Sequence, residues 1–186
     1  MKFGIGYLVI GIIALILIWV VAMYNGFIRL KNTIEEAFST MDVYLKKRYD
    51  LIPNLVETVK GYAAHESGTF EKVVQARNMA ANATTIEDKL KGENMLQSTL
   101  KSLFALAEAY PDLKANTNFL ELQDQLNRVE NEIASARKYY NAVVREFNTK
   151  VEAFPSNLIA GIFGFARRPM FEVEDASERQ NVQVKF

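Results

Sequence analysis

"LKKRYDLIPNLVETVKGYAAHE", Leu45–Glu66, is the stretch on which the fold turns. It reads as a helix with Pro53 in its interior, where the ring removes a backbone hydrogen bond and crowds the carbonyl four residues back. Around it Ile34, Phe38, Met41, Leu45, Ile52, Leu55 or Val56, and Val59 recur at alternating steps of three and four. Tyr49 or Arg48 fills the intermediate slot. That rhythm is the stripe of a bundle or coiled-coil helix. Its phase is the same on both sides of Pro53, whereas a break followed by a new helix would usually reset it. The spacing predicts one long helix running to about Glu66, kinked at Pro53 and Tyr49. In the competing arrangement Asp50 caps a fresh helix, leaving Pro53 in a first turn where no amide hydrogen is needed.

Upstream, "GIGYLVIGIIALILIWVVAM" from Gly4 to Met23 carries no charge. About 20 helical residues at 1.5 Å each cover the roughly 30 Å hydrocarbon layer. Tyr7, Trp19 and Tyr24 lie near its ends, where amphipathic rings favour the interface. A cleaved signal peptide would have a shorter apolar region ending in small-x-small, which Ala22-Met23-Tyr24 does not supply. With no cysteine there is no lipoprotein cleavage site either. The segment is expected to be an uncleaved transmembrane anchor. Lys2 flanks one end, and Arg29, Lys31, Lys46, Lys47 and Arg48 follow the other. The Lys and Arg count therefore leans the soluble part towards the cytoplasm.

Downstream, Ser67-Gly68-Thr69 is read as the end of the long helix. Phe70, Val73, Val74 and Ala80 mark a short second helix closing near Asn82. Thr84 or Thr85 can cap a third, striped by Leu96, Leu100, Leu103, Ala107 and Tyr110 and stopped by Pro111. Gly92 is an interior flaw in it, costing about 1 kcal/mol relative to alanine, and a candidate bend. After "PDLKANTN" the last helix keeps its rhythm through Phe119, Leu122, Leu126, Val129, Ile133 and onward to Phe154, with Pro155 ending it. The fold class is all-α: one transmembrane helix, then an elongated antiparallel bundle of about four long helices. The divisions are residues 1–27 for the anchor, 28–155 for the bundle and 156–186 for an apolar segment with a polar tail.

The first soluble helix and the last are each about 38 residues, near 57 Å at 1.5 Å per residue. If one rises from the bilayer and about four helices alternate in direction, the last returns there. That brings "LIAGIFGF", Leu158–Phe165, close to lipid. Eight apolar residues cannot span it. Leu158, Ile159, Ile162, Phe163 and Phe165 could lie in the interface with Arg167 and Arg168 towards headgroups, or the segment could pack as a lid on the bundle end.

Catalytic constellations are missing from the pattern. Lys+Arg 22 balance Asp+Glu 22, giving no electrostatic case for nucleic acid. The single histidine, His65, begins "HESGT", which lacks the second histidine of a zinc-hydrolase motif. A Ser-His-Asp site would rest on that same histidine without a nucleophile-elbow sequence. Glu35 with Glu36, and Glu130 with Glu132, do not share a helix face and read as solvated charge. "GIFGF" has no lysine-serine partner to make a phosphate loop. No cofactor or metal is expected. Arg48, Asp50 and His65 remain a candidate polar interaction site beside the proline, against the plainer reading of a surface pair and a capping carboxylate. The pairs Tyr24-Asn25, Tyr140-Asn141 and Phe147-Asn148 suggest a packed aromatic whose neighbouring amide satisfies a backbone, a reading placed above ligand binding.

Several pieces in order resemble the LemA family of bacterial membrane proteins. They are Tyr24-Asn25, the Leu45–Glu66 stretch, "AYPDLKANTNFLELQ" from Ala109, "ENEIASARKYYNAVVREFN" from Glu130, and "FPSNLIAGIFGF" with Phe171-Glu172. Lys47 and Tyr49 depart conservatively from a segment often written with paired arginines. The resemblance implies long antiparallel helices on one N-terminal transmembrane segment and brings no catalytic mechanism. It also implies gene neighbours among membrane zinc metallopeptidases, a relative in magnetosome membranes, and in some members a lipoprotein signal with an extracytoplasmic domain, so orientation stays open. Three functions are carried forward: a self-associating scaffold that organises or shapes membrane, a monomeric adaptor or sensor for an envelope protein such as a membrane metallopeptidase, and an enzyme of unknown type. The expected partners are the lipid bilayer, further copies of the chain and that envelope protein, with no nucleic acid.

Overall fold

The computed structural model describes residues 2–171, and every regular element in that range is an α-helix. α1 is Lys2–Lys60, α2 Ser67–Ala81, α3 Ile86–Glu108, α4 Pro111–Lys114, α5 Thr117–Glu152 and α6 Ser156–Phe163. The all-α expectation holds. Two compact units are formed, Met1–Met41 with Ala136–Met170, and Asp42–Ser135 with Phe171–Phe186. Both long helices are divided between them.

In the first unit α1 begins with the apolar run, whose large side chains from Tyr7 to Ile18 are solvent-exposed. This helix is long and apolar enough to cross a membrane. From Phe27 the pattern changes to a stripe: Phe27, Ile34, Ala37 and Met41 are buried, together with Tyr140, Val143, Val144 and Phe147 of α5. Ile159 and Ala160 of α6 complete that core.

The second unit packs the end of α1, α2, α3, the single turn α4 and the first half of α5. Leu45, Ile52, Leu55, Val56 and Val59 are buried, as are Leu96, Leu100, Leu103, Leu113, Phe119, Leu126 and Ile133. α1 runs unbroken through Pro53, so the reading with a new helix capped by Asp50 is excluded. It stops at Lys60 rather than near Glu66. The amides of Tyr62 and Ala63 both turn back to the Val59 carbonyl, at the point where Gly61 lowers helix propensity. Ser67-Gly68-Thr69 consequently opens α2 instead of closing α1. Val74, read as a core position, is exposed. α3 begins as the sequence suggests, with the Thr85 side chain accepting from the Asp88 amide at 3.0 Å. Pro111 ends α3 and also sits in the first turn of α4, where its missing amide costs nothing.

Gly92 is a contact rather than a flaw. A Cβ there would lie 2.6 Å from Ala80 Cα and 2.8 Å from Ala80 N, so hydrogen at this position lets α3 approach the α2 backbone closely.

Candidate functional site

The apolar stripe of the second unit contains an ionic centre. Arg48 and Glu93 are each 2% exposed, and the Arg48 guanidinium pairs with the Glu93 carboxylate. Its Nη1 also donates to Glu130 Oε1 at 2.8 Å, reaching a carboxylate that is partly open to water. The Tyr49 hydroxyl donates to Glu93 as well. Burial pushes the Tyr49 phenol up to about 12, with the Arg48 charge pulling it down and Asp42 pushing it further up. The buried carboxylate is held by a guanidinium and a phenol, the pairing needed to keep such a charge inside a bundle, while Arg48 Nε is buried without a hydrogen-bond partner.

Nearer the start of α1, Asp42 takes Lys46 at 3.4 Å and also Lys89 of α3. Burial alone would raise the Asp42 carboxyl; the two ammonium groups outweigh it and hold the group below its usual value. α1 and α3 are therefore linked by two ion pairs in succession, Asp42 with Lys89 and Arg48 with Glu93.

Pro53 has its own partner. The carbonyl it leaves without an amide is that of Tyr49, four residues back, and Arg77 Nε of α2 donates to that oxygen at 2.8 Å. The unbroken course of α1 through the proline follows from this substitution of a side-chain donor for a backbone one.

Of the predicted polar site, the structure uses only Arg48. Asp50, two positions on, faces solvent, because residues i and i+2 do not share a helix face. His65 is exposed in the turn between α1 and α2. Glu93 was the missing partner, and Glu130 is a partner rather than freely solvated charge. Glu93 had a signal in the sequence. It precedes Leu96, Leu100, Leu103 and Ala107 at steps of three and four, so it lies on the buried stripe of α3. Among the described residues no group of three or more His, Asp or Glu side chains is placed to hold a metal ion.

In the first unit the segment after α6 is pinned to α5. Gly164 closes α6 in the left-handed region, φ 72°, and turns the chain. Asn148 then grips Arg168 at its amide and its carbonyl: Oδ1 accepts from Arg168 N at 2.8 Å and Nδ2 donates to Arg168 O at 2.9 Å. The Tyr140 hydroxyl donates to Pro169 O at 3.0 Å. Phe147 packs while Asn148 satisfies a backbone, as the aromatic-Asn pairing suggested. Phe165 stacks on Phe27 with centroids 4.7 Å apart, and Phe163 meets Tyr24 at 4.8 Å.

The predicted membrane-contact residues divide by face. Ile159 is 3% exposed and belongs to the core, so it leaves that set; Phe165 is half-buried on Phe27. Leu158 and Ile162 are exposed, the latter by 74%, and Phe163 is half exposed. Arg167 pairs with Glu152 at 2.6 Å, and Arg168 projects from the clamped backbone. One face of this short element is buried in the core and the opposite face is exposed.

An apolar N-terminal helix, buried ion pairs inside helical packing and, among the described residues, no assembled catalytic group define the class: a membrane-associated helical protein. The LemA family model matches residues 37–186, and the chain belongs to the LemA family. It is 27% identical to Protein LemA of Metamycoplasma hominis, over 86% of this chain and 72% of that protein. It is 24% identical to Magnetosome protein MamQ 2 of Paramagnetospirillum magneticum and to Magnetosome protein MamQ of Magnetospirillum gryphiswaldense. Each match covers 83% of this chain and 66% of the relative.

Proposed function

We propose that the protein is a non-catalytic, single-pass scaffold of the bacterial inner membrane that self-associates and organises or shapes the bilayer. The observation that carries this reading is α1 itself. One helix supplies an exposed apolar run of membrane-spanning length and, further along, the buried stripe of a helical core. Its most buried ionisable groups pair with other helices, Arg48 with Glu93 and Asp42 with Lys89. Similarity to proteins named for the magnetosome supports a membrane role. The Lys and Arg balance about the apolar run supports a soluble part on the cytoplasmic side.

The experiment is the mass of the full-length protein solubilised in detergent, corrected for bound detergent. A defined oligomer supports the scaffold; a monomer overturns it. Digestion of the soluble part by protease added to intact spheroplasts would overturn the cytoplasmic orientation.

A second reading, a monomeric adaptor for an envelope protein such as a membrane metallopeptidase, is favoured by one feature. An open groove of about 660 Å³ is lined by Lys60, Phe70 and Val74 among others. A monomer that co-purifies with such a partner would select it.

A further inference from the structure

We propose that the cavity beside Tyr24 in the first unit binds the phosphate headgroup of an anionic phospholipid. This rests on the membrane reading above and adds to it a ligand class and a site. The cavity has a volume of about 460 Å³. One wall is a single face of α1, Tyr24, Ile28 and Lys31, at steps of four and three. Tyr24 is the residue next after the uncharged run that ends at Met23. The other wall is the pinned segment, with the rings of Phe163 and Phe165 and then Arg167 and Arg168.

The chemistry of the walls is amphiphilic. Lys31, Arg167 and Arg168 supply three cations on an aromatic floor, and a guanidinium matches a phosphate through paired donors. Glu152 engages Arg167, whereas among the described residues the side chains of Lys31 and Arg168 have no ion-pair partner. The backbone carrying Arg168 is fixed at both its N–H and its C=O by Asn148, itself 5% exposed, so the base of this side chain is anchored at the cavity wall. Beyond the aromatic floor the surface is apolar on both sides: the exposed run of α1, and Leu158, Ile162 and Phe163 of α6. A free phosphate would use only the cations. A phospholipid uses all of it, its phosphate between Lys31 and Arg168 and its acyl chains along the exposed apolar side chains.

The test uses the full-length protein in neutral detergent, with lipid retention read by native mass spectrometry. Phosphatidylglycerol, phosphatidylcholine and inorganic phosphate are the probes. Phosphatidylglycerol should be retained about tenfold or more over phosphatidylcholine, the scale expected from two to three juxtamembrane cations. Excess inorganic phosphate should leave that preference standing. K31Q/R168Q should abolish it with unchanged helicity. N148A, which keeps every charge but frees the Arg168 backbone, should reduce it. Equal retention of the two lipids, displacement by inorganic phosphate, or an undiminished preference in either variant would overturn the site. Alkaline carbonate extraction of membranes separates the two levels. A chain released into the extract sinks the membrane reading, and a chain that stays with the bilayer but shows no lipid preference sinks the headgroup site alone.

Discussion

Arg77 Nε donates to the Tyr49 carbonyl at 2.8 Å, and Tyr49 is the residue whose helical partner Pro53 deletes. A buried or half-buried carbonyl left without a donor costs about 1–3 kcal/mol. Here α2 offsets that cost through a charged donor, and in doing so the proline fixes where α2 meets α1. The interior proline is thereby converted from a defect of one helix into a contact between two.

The substitutions Arg77→Leu and Pro53→Ala should be strongly non-additive. In the native background Arg77→Leu orphans the Tyr49 carbonyl and is expected to lower stability by about 1–3 kcal/mol. In the Pro53→Ala background the amide of the introduced alanine serves that carbonyl, and the same change should cost well under half as much. Thermal unfolding of the four proteins in detergent, followed by circular dichroism, gives the coupling directly. Equal costs in both backgrounds would mean that the Arg77 bond does not compensate for the proline.

Arg48 and Glu93 should show the asymmetry of buried ion pairs. Arg48→Ala leaves the Glu93 carboxylate buried beside Tyr49 without a cation, an expected loss of about 3–5 kcal/mol. Glu93→Ala leaves the guanidinium with Glu130 as its remaining carboxylate, so its cost should be smaller than that of Arg48→Ala. Arg48→Met with Glu93→Leu replaces the pair by apolar groups of similar reach and should recover much of that loss, because neither fully buried charge remains, Glu130 is open to water, and only the Tyr49 hydroxyl loses its acceptor. A double variant as unstable as the sum of the single ones would contradict this.

α1, α2, α3 and α5 were legible because each buries a stripe with a three-four period, which in α1 survives Pro53, whereas the single turn α4 is too short to carry one. The cap at Thr85 and the breaks at Pro111 and Pro155 were legible for the same local reason. What the sequence hid were pairings across helices. Arg48 was visible on its stripe, but its partner was sought nearby at Asp50 and His65, whereas Glu93 lies on a different helix. A carboxylate at a stripe position reads as an interruption until the opposing cation is known. The early end of α1 was hidden by a stripe that continues into Ala63, which is buried from the turn rather than from a helix. α6 was ambiguous because eight apolar residues satisfy both a core face and an exposed one, and the structure supplies both.

Tyr49 predicts a difference at alkaline pH. Its phenol titrates near 10.0 in the unfolded chain and about 12 in the folded one. Between those values the unfolded state loses the proton and the folded state keeps it, so stability falls as pH rises. Below that window the hydrogen bond from Tyr49 to Glu93 gives the native protein an advantage over Tyr49→Phe that does not vary with this ionisation. Above pH 10.0 that advantage should shrink steadily, while titration of lysines common to both proteins cancels in the comparison. Melting temperatures of the pair measured across the window test this, and a constant gap would mean that the phenol ionises freely when folded.

Gly92→Ala should be destabilising although alanine is the better helix former. Propensity alone favours the change by about 1 kcal/mol. The new Cβ, however, would meet backbone atoms of Ala80, Cα at 2.6 Å and N at 2.8 Å, and backbone cannot rotate aside as a side-chain end can. α2 and α3 must separate, with an overpacking cost of about 1–3 kcal/mol. Net destabilisation follows, and it should be local to that helix pair. Amide hydrogen exchange in the full-length protein should therefore accelerate in α2 and α3, most of all from Ala76 to Leu96. Protection from Ala136 to Phe147, which belongs to the other unit, should stay unchanged. A Gly92→Ala protein more stable than the native one would show that the close approach of Gly92 to Ala80 can relax without loss, and propensity would then decide.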